Sequence, residues 1–338
     1  MIDLLSITIK VRHVPFGSKR IKQPEHGKDK VKRYSKTIRI NKVPFHATSM
    51  NNGTQINIRC CPLKLLQGHN VFGTNSLKTL WIELLDEVLK KLDIKPSAAR
   101  RRKWLRGEFQ IDEIHLTHRF PVAKYSMIRK VVHHILKYSS MSLKPALLRK
   151  GVGVSLLAPH GLAEWLFYDK HLEFADKRTK EQRYLEAVVG DRAEAAKNRL
   201  LKTSSKSIRA ELKLRKKYLK KHKLGLGKNW TEAKVLEVFK NELSLLHLGE
   251  MPALQELPEM HSQIADPKLR TTLFLWAAGE DLTCHNGRTK LQAHRRAIRD
   301  MLGIDILNDQ PLLEPKSINL SEVFDITRML TRFPKWAR

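Results

Sequence analysis

Residues 111–120 read IDEIHLTHRF, in which Ile114, Leu116 and Phe120 alternate with Glu113, His115 and Thr117. A period of two is what a strand with one buried face requires, so Glu113 and His115 project from the same face. Residues 208–215, IRAELKLR, repeat the pattern: Ile208, Ala210, Leu212 and Leu214 make an apolar side, and Arg209, Glu211, Lys213 and Arg215 a polar one. Two more extended segments are expected at 154–157 and 164–170, with Trp165 and Phe167 pointing one way and Tyr168 and Lys170 the other.

Helical spacing fills the intervals. After Gly73, the residues Leu77, Leu80, Trp81, Leu84, Leu85, Val88, Leu89 and Leu92 form one face of an amphipathic helix, with Asn75 or Ser76 available as its cap. Ile128, Val131, Val132, Ile135 and Leu136 form a second such face. Beyond Asn229 the pattern is helical to the end: Asn229 and Glu232 suit a capping box, Asp266 and Pro267 open another helix, and Gly279 and Gly303 are stops. These elements predict an α+β fold, with a strand-rich domain over 1–228 and a smaller helical domain over 229–338.

The chain of 338 residues is 41% hydrophobic, enough for one large domain or two ordinary ones. Its 64 Lys+Arg against 34 Asp+Glu leave a formal charge of +30, a field that attracts polyanions and makes nucleic acid the leading partner. Residues 1–10 hold neither an amphipathic anchor nor a signal-peptide core, so a cytoplasmic protein without a membrane partner is expected. Cys60, Cys61 and Cys284 match neither a disulfide framework nor a zinc spacing.

The positive charge is concentrated. Residues 10–43 carry twelve Lys/Arg against two acids and read as a strand pair with a basic loop. Residues 199–228 carry twelve against one, including Lys216, Lys217, Lys220 and Lys221, with Tyr218 and Trp230 nearby. Arg100, Arg101 and Arg102 form a third run that reads as a turn. Each is either a solvated face or a set of phosphate contacts, and charge alone leaves that open.

The run LQGHNVFGTN at 66–75, preceded by Pro62-x-Lys64 and followed by the strong helix, resembles the gene II replication initiators of filamentous phages. The opening MIDLL is similar to their start, YDKHLE at 168–173 to their Tyr-x-Lys-x-x-Glu motif, and Arg209-Ala210-Glu211 to their Arg-x-Glu strand. Order and spacing agree over about 1–225, and 288–307 resembles their helical C-terminal region less distinctively.

The resemblance implies an antiparallel-sheet catalytic domain of the HUH-like, rolling-circle type. It implies nicking of a supercoiled replicative form at a double-stranded origin, a 3′-hydroxyl extended by the host polymerase with a host helicase as a further partner, and later closure of the displaced single strand. Carried over residue by residue, it makes Tyr168 the nucleophile, Lys170 its cationic neighbour and Glu211 a metal ligand. Where the family's central strand reads Arg-x-Asp, this chain has Glu113 and His115, themselves competent ligands. Three oxygen and nitrogen donors without a thiolate suit Mg²⁺ or Mn²⁺.

A phosphodiester cut that must be resealed keeps its bond energy in a covalent tyrosyl phosphate, whereas hydrolysis discards it. A phenol titrates near pH ~10, so it needs a cation or metal beside it at neutral pH. DNA contacts are expected from Arg209, Lys213, Arg215, the four lysines that follow and the three arginines at 100–102. His69 and Asn70, between Gly68 and Gly73, are either a tight turn capping the helix or a loop that positions DNA. His118 faces away from His115 and reads as core. A conjugative relaxase would share the chemistry but brings a histidine triad that is absent. A non-enzymatic binder would explain the charge but not Tyr168, Lys170 and Glu211 together.

Overall fold

Nine antiparallel pairings join ten strands into one sheet in the computed structural model, which describes residues 1–22, 31–139, 143–148, 152–176, 180–248, 264–277, 279–309 and 320–330. Part of the expected basic loop, 23–30, lies outside the described residues. The strands are β1 (Ile2–Lys10), β2 (Ser18–Lys22), β3 (Val31–Ile40), β4 (Val43–Met50), β5 (Gln55–Cys60), β6 (Gln110–Pro121), β7 (Ala146–Leu147), β8 (Gly153–Leu157), β9 (Ala163–Tyr168) and β10 (Ser207–Arg215). Their order is β2-β3-β4-β5-β1-β6-β10-β9-β8-β7, so the N-terminal strand runs through the middle.

The period-two segments have the faces expected of them. Ile114, Leu116, Phe120, Ile208, Ala210, Leu212, Trp165 and Phe167 are buried on one side. On that side the ring of Phe239 lies 4.6 Å from His118 and 5.0 Å from Trp165, while Phe324 meets Phe167 at 4.9 Å. His118 is thus a core histidine.

Among the described residues nine helices accompany the sheet: α1 (Pro62–Gln67), α2 (Leu77–Lys91), α3 (Ala98–Leu105), α4 (Ser126–Tyr138), α5 (Lys170–Ala175), α6 (Glu181–Val189), α7 (Ala193–Ser204), α8 (Lys216–Lys221) and α9 (Glu232–Ser244). Ser76 caps α2 by accepting from Thr79 N–H at 3.2 Å. Three local expectations are corrected. The arginines at 100–102 lie in helix α3 rather than a turn; Ala and Arg are strong helix formers, Ser97 caps it, and Trp104 buries one face. The strand through Tyr168 stops before Lys170, because Asp169 accepts from Leu172 N–H at 3.0 Å and starts α5. Helix α9 is capped by Thr231, since Asn229 sits in a preceding 3₁₀ turn and donates instead to the Lys223 carbonyl at 2.9 Å.

The chain divides into two compact units, Met1–Leu248 with Phe324–Arg338, and Gly249–Val323. The first therefore runs past Lys228, because α9 supplies Phe239 to the sheet core. The second has its own core of Ile264, Leu273, Trp276, Leu291 and Ile298, with α10 (Pro267–Ala277) packed on α11 (Arg288–Leu302). Among the described residues no helix is long and apolar enough to cross a membrane.

Candidate active site on the polar face of the sheet

The other face of the sheet is largely polar. Register places Thr37, His46, Arg59, Ser6, Glu113 and Arg215 side by side across β3, β4, β5, β1, β6 and β10. That row is roughly 24 Å long at about 4.8 Å per strand. A neighbouring row runs Leu4, His115, Lys213 and Glu164, and beyond it Arg209 pairs with Tyr168.

A chain of hydrogen bonds crosses these rows. The Tyr168 hydroxyl donates to Glu211 Oε2 at 3.1 Å, and the other oxygen of Glu211 lies 2.9 Å from His115 Nδ1. His115 Nε2 is 2.9 Å from Glu113 Oε1, and Arg59 Nε donates to Glu113 Oε2 at 3.1 Å. Tyr168 and Glu211 are each 7% exposed, while the Arg59 side chain at the far end is 43% exposed. Both nitrogens of His115 face carboxylate oxygens, the arrangement of an imidazolium donor. Burial disfavours that charge, yet the bonds to Glu113 and Glu211 outweigh it and raise the pKa above the ordinary 6.5. The bond from His115, helped by Arg59, brings Glu113 down to about 2 against the penalty of burial. Burial pushes the Tyr168 phenol well above its ordinary range, and Arg209 works against that rise.

Arg209 is the cation beside the phenol. Its guanidinium carbon lies 5.6 Å from the centre of the Tyr168 ring, and the residue is fully buried. Arg209 Nη2 donates to Asp3 Oδ2 at 2.6 Å and Nη1 to the Asn70 carbonyl. Asn70 Nδ2 and Cys61 Sγ both donate to Asp3 Oδ1, at 2.8 and 3.1 Å. Burial opposes a charge on Asp3, but Arg209, Lys64 and Asn70 together hold its carboxyl well below the usual range.

The glycine-flanked turn makes this bracing possible. Gly68 ends α1 at φ +75°, and a Cβ there would lie 2.7 Å from the backbone of Leu185. At Gly73 a Cβ would collide with Leu63 at 2.4 Å. His69 is buried, and desolvation lowers its pKa to about 3, so it is neutral. His69 and Asn70 therefore face the protein, and the turn buttresses Arg209.

Of the expected site residues, Tyr168, Glu113, His115 and Glu211 come together and Lys170 does not join them. Lys170 is buried elsewhere, donating to Glu173 at 3.0 Å and lying 3.9 Å from Glu181, which also pairs with Lys64. Its displacement follows from the start of α5. Arg209 is 0% exposed, so it is a structural cation rather than a direct DNA contact in this arrangement. Lys213 and Arg215 both donate to Glu164, at 3.1 and 2.8 Å, and Arg215 stays exposed. Lys217, Lys220 and Lys221 are exposed on α8, with Lys216 3.7 Å from Asp112. Arg100 and Arg102 are exposed, and Arg101 pairs with Asp86 at 2.6 Å. Tyr218 is packed and donates to Glu242 at 2.8 Å, whereas Tyr125 is 41% exposed.

Glu113, His115 and Glu211 do not fit a metal ion as placed. The imidazole stands between the two carboxylates and engages one with each nitrogen, so the donor atoms do not converge on a common point. Among the described residues no group of three or more His, Cys, Asp or Glu side chains is arranged to hold one. The residue that sequence reasoning missed is Asp3. A lone acid inside the apolar strand MIDLL needs a buried cationic partner, and that was the available signal.

The family formed by the N-terminal region of the gene II replication-associated protein of phages matches residues 1–233, a span that holds every strand among the described residues and the whole site. The gene II replication-associated protein of Enterobacteria phage I2-2 is 24% identical over 320 residues, covering 90% of this chain and 88% of that protein. No solved structure matches the chain.

Proposed function

Because the chain belongs to the family of gene II replication-associated proteins, we propose that it initiates rolling-circle replication, nicking one strand of a phage or plasmid replicon with Tyr168 and later rejoining it. On this reading the sheet is a variant of the HUH-like nicking fold. The observation that carries the proposal is the Tyr168 hydroxyl, 3.1 Å from a carboxylate and beside a buried guanidinium.

The phenol oxygen attacks phosphorus while its proton passes to Glu211. The bond from phosphorus to the 3′ oxygen breaks, that oxygen takes the proton back from Glu211, and the 5′ phosphate remains on tyrosine. His115, bonded to the second oxygen of Glu211, keeps the first one turned toward the phenol. Arg209 Nε has no hydrogen-bond partner among the described residues, and its fixed charge offsets the negative charge that develops as the proton leaves. Rejoining is the reverse, with a 3′-hydroxyl as attacking group and tyrosine as leaving group. Tyr168 is 7% exposed, so the strand must part the side chains over the phenol before attack. The Mg²⁺ or Mn²⁺ that the resemblance implies does not fit the side chains as placed, and no step is assigned to it.

The row from Thr37 to Arg215 and the lysines of α8 supply sequence-independent contacts to the origin and the displaced strand. The host polymerase then extends the 3′-hydroxyl in the bacterial cytoplasm while a host helicase separates the strands. Supercoiled replicon DNA tests the proposal: wild type converts it to open circles, and Tyr168→Phe does not while still shifting DNA in a gel. Nicking by Tyr168→Phe would overturn it.

A further inference from the structure

Helix α11 presents two unlike faces. Leu291, His294 and Ile298 are buried, and Thr272 of α10 is bonded to His294 Nδ1 at 2.6 Å. Arg295 grips Asp305 with two bonds of 2.6 Å, and Gly303 at φ +70° closes the helix, so its orientation within this unit is fixed. On the far side Thr289, Gln292, Ala293 and Arg296 are exposed, with Asp300 at the C-terminal end of the same stripe, one turn beyond Arg296. At about 100° per residue, Lys290 falls on one flank of that stripe and Arg288 and Arg299 on the other. All three are exposed, and the helix carries five cations against the single acid Asp300.

We propose that α11 reads duplex DNA from the major groove, with Gln292 and Arg296 against base edges and Lys290, Arg288 and Arg299 against the flanking phosphates. A helix about 10–12 Å across fills a groove about 12 Å wide. Arg and Gln are the side chains whose forks match guanine and adenine edges, and Ala293 and the Thr289 methyl allow close approach. The stripe has no aromatic ring on which single-stranded bases would stack, which favours a duplex. The inference rests on the proposed function only in that an initiator must find one site among many.

The test uses the full chain and a pool of duplexes with a randomised central segment. Wild type is expected to enrich a motif. Arg296→Ala and Gln292→Ala, which remove exposed side chains, should each relax preference at one base pair by about tenfold or more, the worth of one bidentate pair. Lys290→Ala with Arg299→Ala should weaken all duplexes alike. An identical motif from Arg296→Ala and Gln292→Ala, or no motif from wild type, overturns the proposal; a motif that depends on Arg296 in a chain that never attaches to DNA would sink the role of Tyr168 and leave α11 standing.

Discussion

The Tyr168 hydroxyl and the Glu211 carboxylate, on adjacent strands β9 and β10, are hydrogen-bonded at 3.1 Å, with the phenol as donor. The group that must lose a proton is already bonded to one that can take it. Tyr168→Phe deletes that bond and no charge. It should abolish nicking, leave DNA affinity within about twofold, and change stability by about 0.5–1.5 kcal/mol, the net worth of one hydrogen bond. Nicking gels, filter binding and thermal melts on one preparation check all three.

His115 should titrate above the ordinary histidine value. Because its folded pKa is raised, the stability it contributes is complete below about pH 6.5, the unfolded value, and is lost as pH rises through the folded value. Glu113→Gln removes one anionic acceptor and should lower the His115 pKa, so the stability gap between wild type and variant narrows as the medium turns alkaline. Ring nitrogen shifts followed by NMR read this directly, and a wild-type titration at or below the ordinary value would refute the bonding pattern.

Asp3 should be costly to remove. Asp3→Ala leaves the fully buried Arg209 without its counter-ion, and breaking such a pair typically costs about 3–5 kcal/mol. Denaturant unfolding measures it, and a destabilisation under about 1 kcal/mol would mean that Arg209 finds another partner.

What sequence reveals here follows from the range of each interaction. The alternation in 111–120 and 208–215 is local, and it puts Glu113, His115 and Glu211 on the face they occupy. The leucine stripe of α2 and its Ser76 cap are equally local. Asp3 and Arg209 are separated by 206 residues, and only the strand order, with β1 beside β6 and β6 beside β10, brings them together. Lys170 escapes a local reading for a different reason. Its spacing from Tyr168 looks like one strand face, but Asp169 is a good helix cap and turns the chain between them.

The lysines of α8 should hold phosphates. Changing Lys216, Lys217, Lys220 and Lys221 to alanine should weaken binding to every sequence similarly and flatten the slope of log affinity against log salt by up to ~0.9 for each duplex phosphate no longer neutralised. Titrations of two unrelated duplexes at several salt concentrations are enough, and an unchanged slope would make this a solvated face.

The most direct test of the central claim is to trap the protein on nicked replicon DNA, digest both components, and locate the nucleotide adduct by mass spectrometry. The account predicts a 5′-phosphodiester on Tyr168 and no adduct in Tyr168→Phe. An adduct on the exposed Tyr125 or any other residue, or a nicked product with no covalent protein, would contradict it.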